Sequence, residues 1–186
     1  MAHALVVGGT GMLKEVTLYL LQRFDTVSVI ARSPNGFKKL EQESGKLSSH
    51  LNKLQLDYTH YNDLTSLLIK AIKDFGEINL AVSWIHSSAP LAPLLIAKVI
   101  NDTSQHFDFY EILGSSHIHP ENEKREEKFT DFENIKYHKI ILGFVIEAKS
   151  SRWLTNEEIS RGVIEAIEKG DEDYVIGTVE PWMARP

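Results

Sequence analysis

The sequence contains no cysteine. That excludes disulfides, thiolate nucleophiles and cysteine-ligated zinc, and it suits a reducing compartment. Positive charge is not in excess either: 20 Lys and Arg stand against 26 Asp and Glu, a net charge of −6. Phosphate-backbone binding needs a basic face, so nucleic acid is not an expected partner. No apolar run approaches the roughly 18 residues that span a bilayer, so no membrane contact is expected. The first strand begins by residue 4, which leaves no room before it for a charged region and an apolar signal core, and the expected location is cytoplasmic. Internal repeats and low-complexity tracts are absent as well. What remains is an ordinary soluble composition, 186 residues with 42% apolar and 25% charged, read as a single domain over 1–186.

The most informative segment is the first. A short apolar run, Leu5-Val6-Val7, leads into Gly8-Gly9-Thr10-Gly11-Met12-Leu13, after which Val16, Leu20 and Phe24 continue from Met12 at four-residue intervals. Strand, glycines and helix follow in the order of a nucleotide-binding βαβ unit. Gly8 suits the tight turn, Gly11 lets backbone approach a pyrophosphate, and the helix N-terminus directs free N–H groups and its positive dipole end at that anion. The next apolar segment, Val27 to Ala31, is β-branched and short, as the second parallel strand requires. It ends in Arg32-Ser33. A carboxylate there bonds the ribose 2′-hydroxyl of NAD, whereas a guanidinium pairs with the 2′-phosphate of NADP. The expected cofactor is therefore NADP, with NAD second.

Helices and strands alternate through the rest of the chain. Asn62-Asp63 caps a helix whose Leu64, Leu67, Leu68, Ala71, Ile72 and Phe75 share a face, with Gly76 at its end. Ile78 to Ile85 reads as a buried strand, Pro90 to Ile100 as a Pro-initiated helix, and Phe107 to Leu113 as another strand. Ile140 to Ile146 is a continuous apolar strand, Thr155 to Glu158 is a capping box, and Gly170 closes the helix it opens. Val179 to Trp182 reads as a final strand entering an aromatic tail, with Trp182 sealing either the core or a contact in a homo-oligomer. The pattern predicts an α/β fold, a three-layer doubly wound Rossmann sheet of about six or seven parallel strands with helices on both faces. Glu121 to Lys128, rich in mixed charge, is either a solvated loop or a lid over the carboxyl ends of the strands.

These residues carry a resemblance. Gly8-Gly-Thr-Gly11, Arg32, Asp57-Tyr58 after the third strand and Trp84-Ile-His-Ser-Ser88 after the fourth resemble the cofactor half of the short-chain dehydrogenase/reductase superfamily, over roughly the first 115 residues. The likeness is to its atypical members with a Gly-x-x-Gly-x-x-Gly turn, except that Lys14 replaces the third glycine and points outward or toward a phosphate. The resemblance implies that Asp57 contacts the adenine amino group, with Tyr58 beside it. It also implies that His86 and Ser87 line the ribose and nicotinamide.

Catalysis departs from that pattern. The family pairs a Tyr with a Lys four residues later on a helix, assisted by a Ser after the fifth strand. None of the six tyrosines has Lys at that spacing. Catalytic residues are therefore unassigned, with Ser115, which follows the fifth strand, and the strand pair Tyr137 and Lys139 as candidates. His117 and His119, with His86, offer three imidazoles, but no Asp or Glu pattern completes a ligand set, so no metal is expected. Two readings stay open: an NADP(H)-dependent oxidoreductase on a small carbonyl or enone-type substrate, and a noncatalytic NADP(H)-binding sensor.

Overall fold

The computed structural model describes residues 1–118, 128–148 and 150–186. Strands β1 (His3–Val7), β2 (Thr26–Ala31), β3 (Leu51–Gln55), β4 (Ile78–Trp84), β5 (Phe107–Gly114) and β6 (Ile135–Leu142) form one parallel sheet with β9 (Asp173–Ile176), in the order β3-β2-β1-β4-β5-β6-β9. The order reverses at β1, so the crevice between β1 and β4 is the place where a ligand fits a doubly wound sheet. β1 is fully buried because it has parallel neighbours on both edges and helices on both faces. The expected doubly wound parallel sheet is present. Among the described residues no helix is long and apolar enough to cross a membrane.

One apolar layer lies beneath α1 (Lys14–Leu21), α2 (Pro34–Ser44) and α5 (Asn156–Lys169), and includes Val6, Val16, Leu20, Val29 and Val163. The other lies beneath α3 (Tyr61–Phe75) and α4 (Ala92–Asn101), and includes Leu5, Leu64, Leu68, Ile96 and Phe109. On this second face, the described part of the β5–β6 connection contains no α-helix. A 3₁₀ turn follows β5 at Ser115–Ile118, and Phe129 and Phe132 fill the face instead. Phe129 stacks 4.5 Å from Tyr137 and 5.6 Å from Phe109.

Several boundaries differ from the sequence reading. The strand expected over Ile140 to Ile146 is two strands, β6 ending at Leu142 and β7 (Phe144–Ile146), which pairs antiparallel with β8 (Ser151–Trp153). Gly143 separates them because a Cβ there would run into the Thr178 carbonyl. The last strand is Asp173–Ile176, not Val179 to Trp182, and a 3₁₀ turn occupies Trp182–Ala184. α3 has His60 at its N-cap position, without a side-chain cap bond, two residues before the expected Asn62-Asp63. The capping box does open α5: Thr155 Oγ1 accepts from the Glu158 N–H at 3.2 Å, and Glu158 Oε2 accepts from the Thr155 N–H at 2.8 Å. Residues Glu121 to Glu127 of the lid reading, and His119, lie outside the described residues.

Candidate functional site

The glycine turn is shaped by three different demands. Gly8 has φ +85°, a conformation that only glycine adopts without strain, and its N–H donates to the Ile30 carbonyl at 2.9 Å. Gly9 is where α1 crosses closest to the sheet. A Cβ there would lie 2.5 Å from Thr17 Oγ1 and 2.9 Å from Val6 and Val29, and the Thr17 hydroxyl donates to the Gly9 carbonyl at 2.9 Å. Gly11 is the opposite case, because a Cβ there meets nothing within 4 Å. Its missing side chain opens onto empty space above the start of α1.

That helix begins without a side-chain cap. The Lys14 N–H donates to the Gly11 carbonyl at 3.0 Å, and the N–H groups of Glu15 and Val16, which have no acceptor among the described residues, are left for a ligand beside the positive end of the dipole. Lys14 does not intrude: its ammonium sits 2.7 Å from Glu43 and points outward. Hydrogen bonding to Glu43 is the main reason its pKa is raised. The close approach that a third glycine would allow is supplied by Gly9 and Thr17 instead.

A cavity of about 320 Å³ opens over this turn. Gly8, Thr10, Gly11, Met12, Arg32, Ser33, Tyr58 and His86 all line it, so the structure gathers eight of the residues expected at a cofactor from four separate strand ends. Arg32 is 67% exposed in its side chain and lies 3.5 Å from Asp57. Asp57 accepts from the Thr59 N–H at 3.0 Å and from the Thr59 hydroxyl at 2.8 Å. Those bonds come first in holding its carboxyl below the usual range, with Arg32 adding to them. Ser33 caps α2 by accepting from the Gly36 N–H at 3.1 Å, and Gly36 leaves room for Thr10, whose Oγ1 would lie 2.8 Å from a Cβ there. Four expected residues do not line this cavity, one of them Asp57, which stands next to its lining residue Arg32. Gly9 is the packing position just described, Leu13 is fully buried in the core, and Ser87 lines a neighbouring cavity of about 270 Å³ with Ser116 and His117. His117 Nδ1 lies 3.2 Å from the Gly114 carbonyl.

Trp84 was visible in the sequence, but not its position. It ends β4 beside Gly8, contacts the His86 ring edge-on at 5.6 Å, and together with Met12 also lines a second cavity of about 320 Å³. Those two side chains form the threshold between the two spaces. Ser115 lines the second cavity, 3% exposed, and its hydroxyl has no hydrogen-bond partner among the described residues. Buried hydroxyls are nearly always paired, so an unpaired one facing a cavity marks a place for a ligand atom. Trp153 and Arg185, unremarked in the sequence reading, complete that cavity's outer wall. The clue available in the sequence was a cation three residues after Trp182 in the tail.

The remaining catalytic candidates are not brought to this edge. Tyr137 lies early in β6, donates to Glu111 Oε2 at 2.7 Å and stacks on Phe109 and Phe129. Lys139 sits 3.0 Å from Asp173. Five residues separate Tyr137 from the carboxyl end of β6, about 17 Å along a strand. The pair belongs to the sheet interior and its far edge, not to the cavities.

No family model matches the sequence, and no curated protein is similar to it. Solved structures do share its fold. A beta-ketoacyl-[ACP] reductase from Bacteroides thetaiotaomicron matches with a TM-score of 0.73 at 14% identity, over 96% of this chain and 98% of that one. The citronellol catabolism dehydrogenase of Pseudomonas aeruginosa PAO1 matches with a TM-score of 0.72 at 12% identity, over 94% and 92%. A structure from Aeromonas hydrophila assigned to the short-chain dehydrogenase/reductase family matches with a TM-score of 0.67 at 15% identity, over 96% and 99%. The chain has the Rossmann fold of short-chain dehydrogenase/reductase structures, as the glycine turn and its surroundings implied.

Proposed function

We propose that the chain binds NADP(H) across the two cavities and acts as an oxidoreductase on a small carbonyl or enone-type substrate. The observation that carries this reading is the combination at one strand-end cavity of an open Gly11, an uncapped α1 and an exposed guanidinium at the end of β2. The turn and the N–H groups of Glu15 and Val16 at the start of α1 hold the pyrophosphate. Arg32 takes the 2′-phosphate, which competes with Asp57 for the guanidinium. Asp57 accepts the adenine amino group, and Tyr58 and His86 flank the ribose. Passing the Met12–Trp84 threshold, the dinucleotide delivers its nicotinamide end to the second cavity, where it supplies or accepts hydride. Ser115 donates a hydrogen bond to the substrate oxygen there, satisfying its own buried hydroxyl.

A second reading is favoured by one observation: no tyrosine is followed four residues later by lysine, and Tyr137 is committed to Glu111. On that reading the protein is a noncatalytic NADP(H) sensor. Titration with NADPH and NADH, followed by a panel of carbonyl and enone substrates monitored through NADPH absorbance, decides between them. The proposal expects NADPH to bind tighter than NADH, and at least one substrate to be turned over. Tight binding without oxidation across the panel selects the sensor, and equal affinity for the two dinucleotides refutes the NADP assignment.

A further inference from the structure

The second cavity is lined mostly by apolar side chains, with Asn156 at the start of α5 and two further hydrogen-bond donors of different kinds, Ser115 and Arg185. Ser115 is buried and unpartnered, as described. Arg185 is exposed, and its guanidinium lies 5.1 Å from the centre of the Trp153 ring and 4.9 Å from that of Trp182. The guanidinium is thus within cation–π range of two indole rings, which help to hold it in place. No carboxylate among the described residues pairs with it, although acids outnumber Lys and Arg by 26 to 20 in this chain. By contrast Arg152, on the same β8 ribbon as Trp153, is held by both Glu147 and Glu158. Leu142, Leu154 and Ile159 line the space between.

We infer that this cavity binds a small organic carboxylate with an apolar body, its carboxylate taken edge-on by Arg185 and its carbonyl oxygen by Ser115. The inference rests on the oxidoreductase reading for the role of that ligand as substrate, and names its class: a keto acid or the corresponding hydroxy acid. A planar guanidinium presents two parallel N–H groups at the spacing of carboxylate oxygens. An uncharged isostere of the same shape offers Arg185 only a neutral carbonyl acceptor, so the charge decides the preference.

The test uses phenylglyoxylate and its neutral counterpart phenylglyoxylamide, titrated calorimetrically into the full chain with and without saturating NADPH. The expected result is binding of the carboxylate at least about tenfold tighter than the amide, the scale of one charge-assisted pair. Arg185→Gln, a change at an exposed position, is expected to bring the two within about twofold. Arg185→Lys restores the charge without the fork and recovers part of the preference. Ser115→Ala weakens both ligands together, by about two- to tenfold. Equal affinity for the two probes, or a preference that survives Arg185→Gln, overturns the inference. NADPH titrations of the same samples separate the two readings. An Arg185-dependent carboxylate preference without NADPH binding leaves the anion site standing and removes the cofactor reading. Arg32-dependent NADPH binding without that preference does the reverse.

Discussion

The two edges of the sheet treat polar groups in opposite ways. At the amino edge, the fully buried His3 has Nδ1 2.9 Å from the Gly76 carbonyl and Nε2 2.7 Å from Ser28 Oγ. His138, equally buried, has Nδ1 2.8 Å from the Asp171 carbonyl and Nε2 2.7 Å from Asp108, and it stacks on Tyr110 at 4.1 Å. At the carboxyl edge, Ser83 and Ser115 keep buried hydroxyls without partners among the described residues, α1 starts without a side-chain cap, and Arg32 is largely exposed. The lesson is that completed networks mark structural support and incomplete ones mark a site. Histidine burial alone is a poor guide, since both buried histidines among the described residues lie at the edge far from the cavities.

The largest effect is expected where the carboxyl edge is most open. Gly11→Glu adds a carboxylate to a position with nothing within 4 Å, so the fold is retained while the anion site is filled with like charge. NADPH affinity should fall by about 100-fold or more, with little change in melting temperature. A large loss of melting temperature in this variant would show that the turn is a structural element instead.

The mirror-image experiment is Asp108→Ala at the amino edge. It leaves His138 Nε2 without its partner in a buried position, an expected loss of about 2 kcal/mol, or roughly 4–8 °C in melting temperature. NADPH affinity should be unchanged within error. If the dinucleotide were lost along with stability, the two edges would not be separable in the way their hydrogen bonding implies.

Arg32→Ala comes next. Removing the exposed guanidinium should lower the preference for NADPH over NADH by about tenfold or more, with the melting temperature preserved because the Asp57 pair is exposed and contributes little to stability. Dissociation constants for both dinucleotides, measured in parent and variant, provide the check.

How far the sequence revealed this molecule follows the range of its interactions. The β1 turn, α1, β2 and Arg32 were legible because strand period, glycine spacing and helix period are local signals. The capping box at Thr155 was legible for the same reason. The roles of Gly9 and Thr17 were not, since Gly9 is pressed at once by Thr17 of α1, Val6 of β1 and Val29 of β2, so Lys14 looked like a defect in a motif that the fold completes differently. The β7–β8 ribbon was hidden because Gly143 breaks an apolar run for a reason that lies 35 residues away at Thr178. Arg185 and Trp153 meet Ser115 only through the tertiary fold, and a strand pattern could not tell that Tyr137 faces Phe109 and Glu111.

The smallest expected effect lies in the pH dependence of the amino edge. Burial lowers the pKa of His3 from its ordinary value of 6.5, opposed in part by the bond to Gly76. The geometry agrees with a neutral ring: Nδ1–H donates to the Gly76 carbonyl, Nε2 accepts the Ser28 hydroxyl, and Ser28 Oγ itself accepts from Asn52 Nδ2 at 2.9 Å. Because the folded pKa is depressed, the unfolded chain binds more protons just below pH 6.5, and stability rises with pH there. The contribution of His3 is therefore complete above the unfolded value and is lost as pH falls below it toward the folded one. Asp108, whose carboxyl is held down mainly by its bond to His138, adds its own loss only in the acid range below about 4. Unfolding near pH 6 should take up protons, and the His3 ring should titrate below 6.5 by NMR. A ring that titrates at or above that value would mean that burial does not govern this histidine, and the buried network at the amino edge would then hold a charge that no carboxylate among the described residues pairs with.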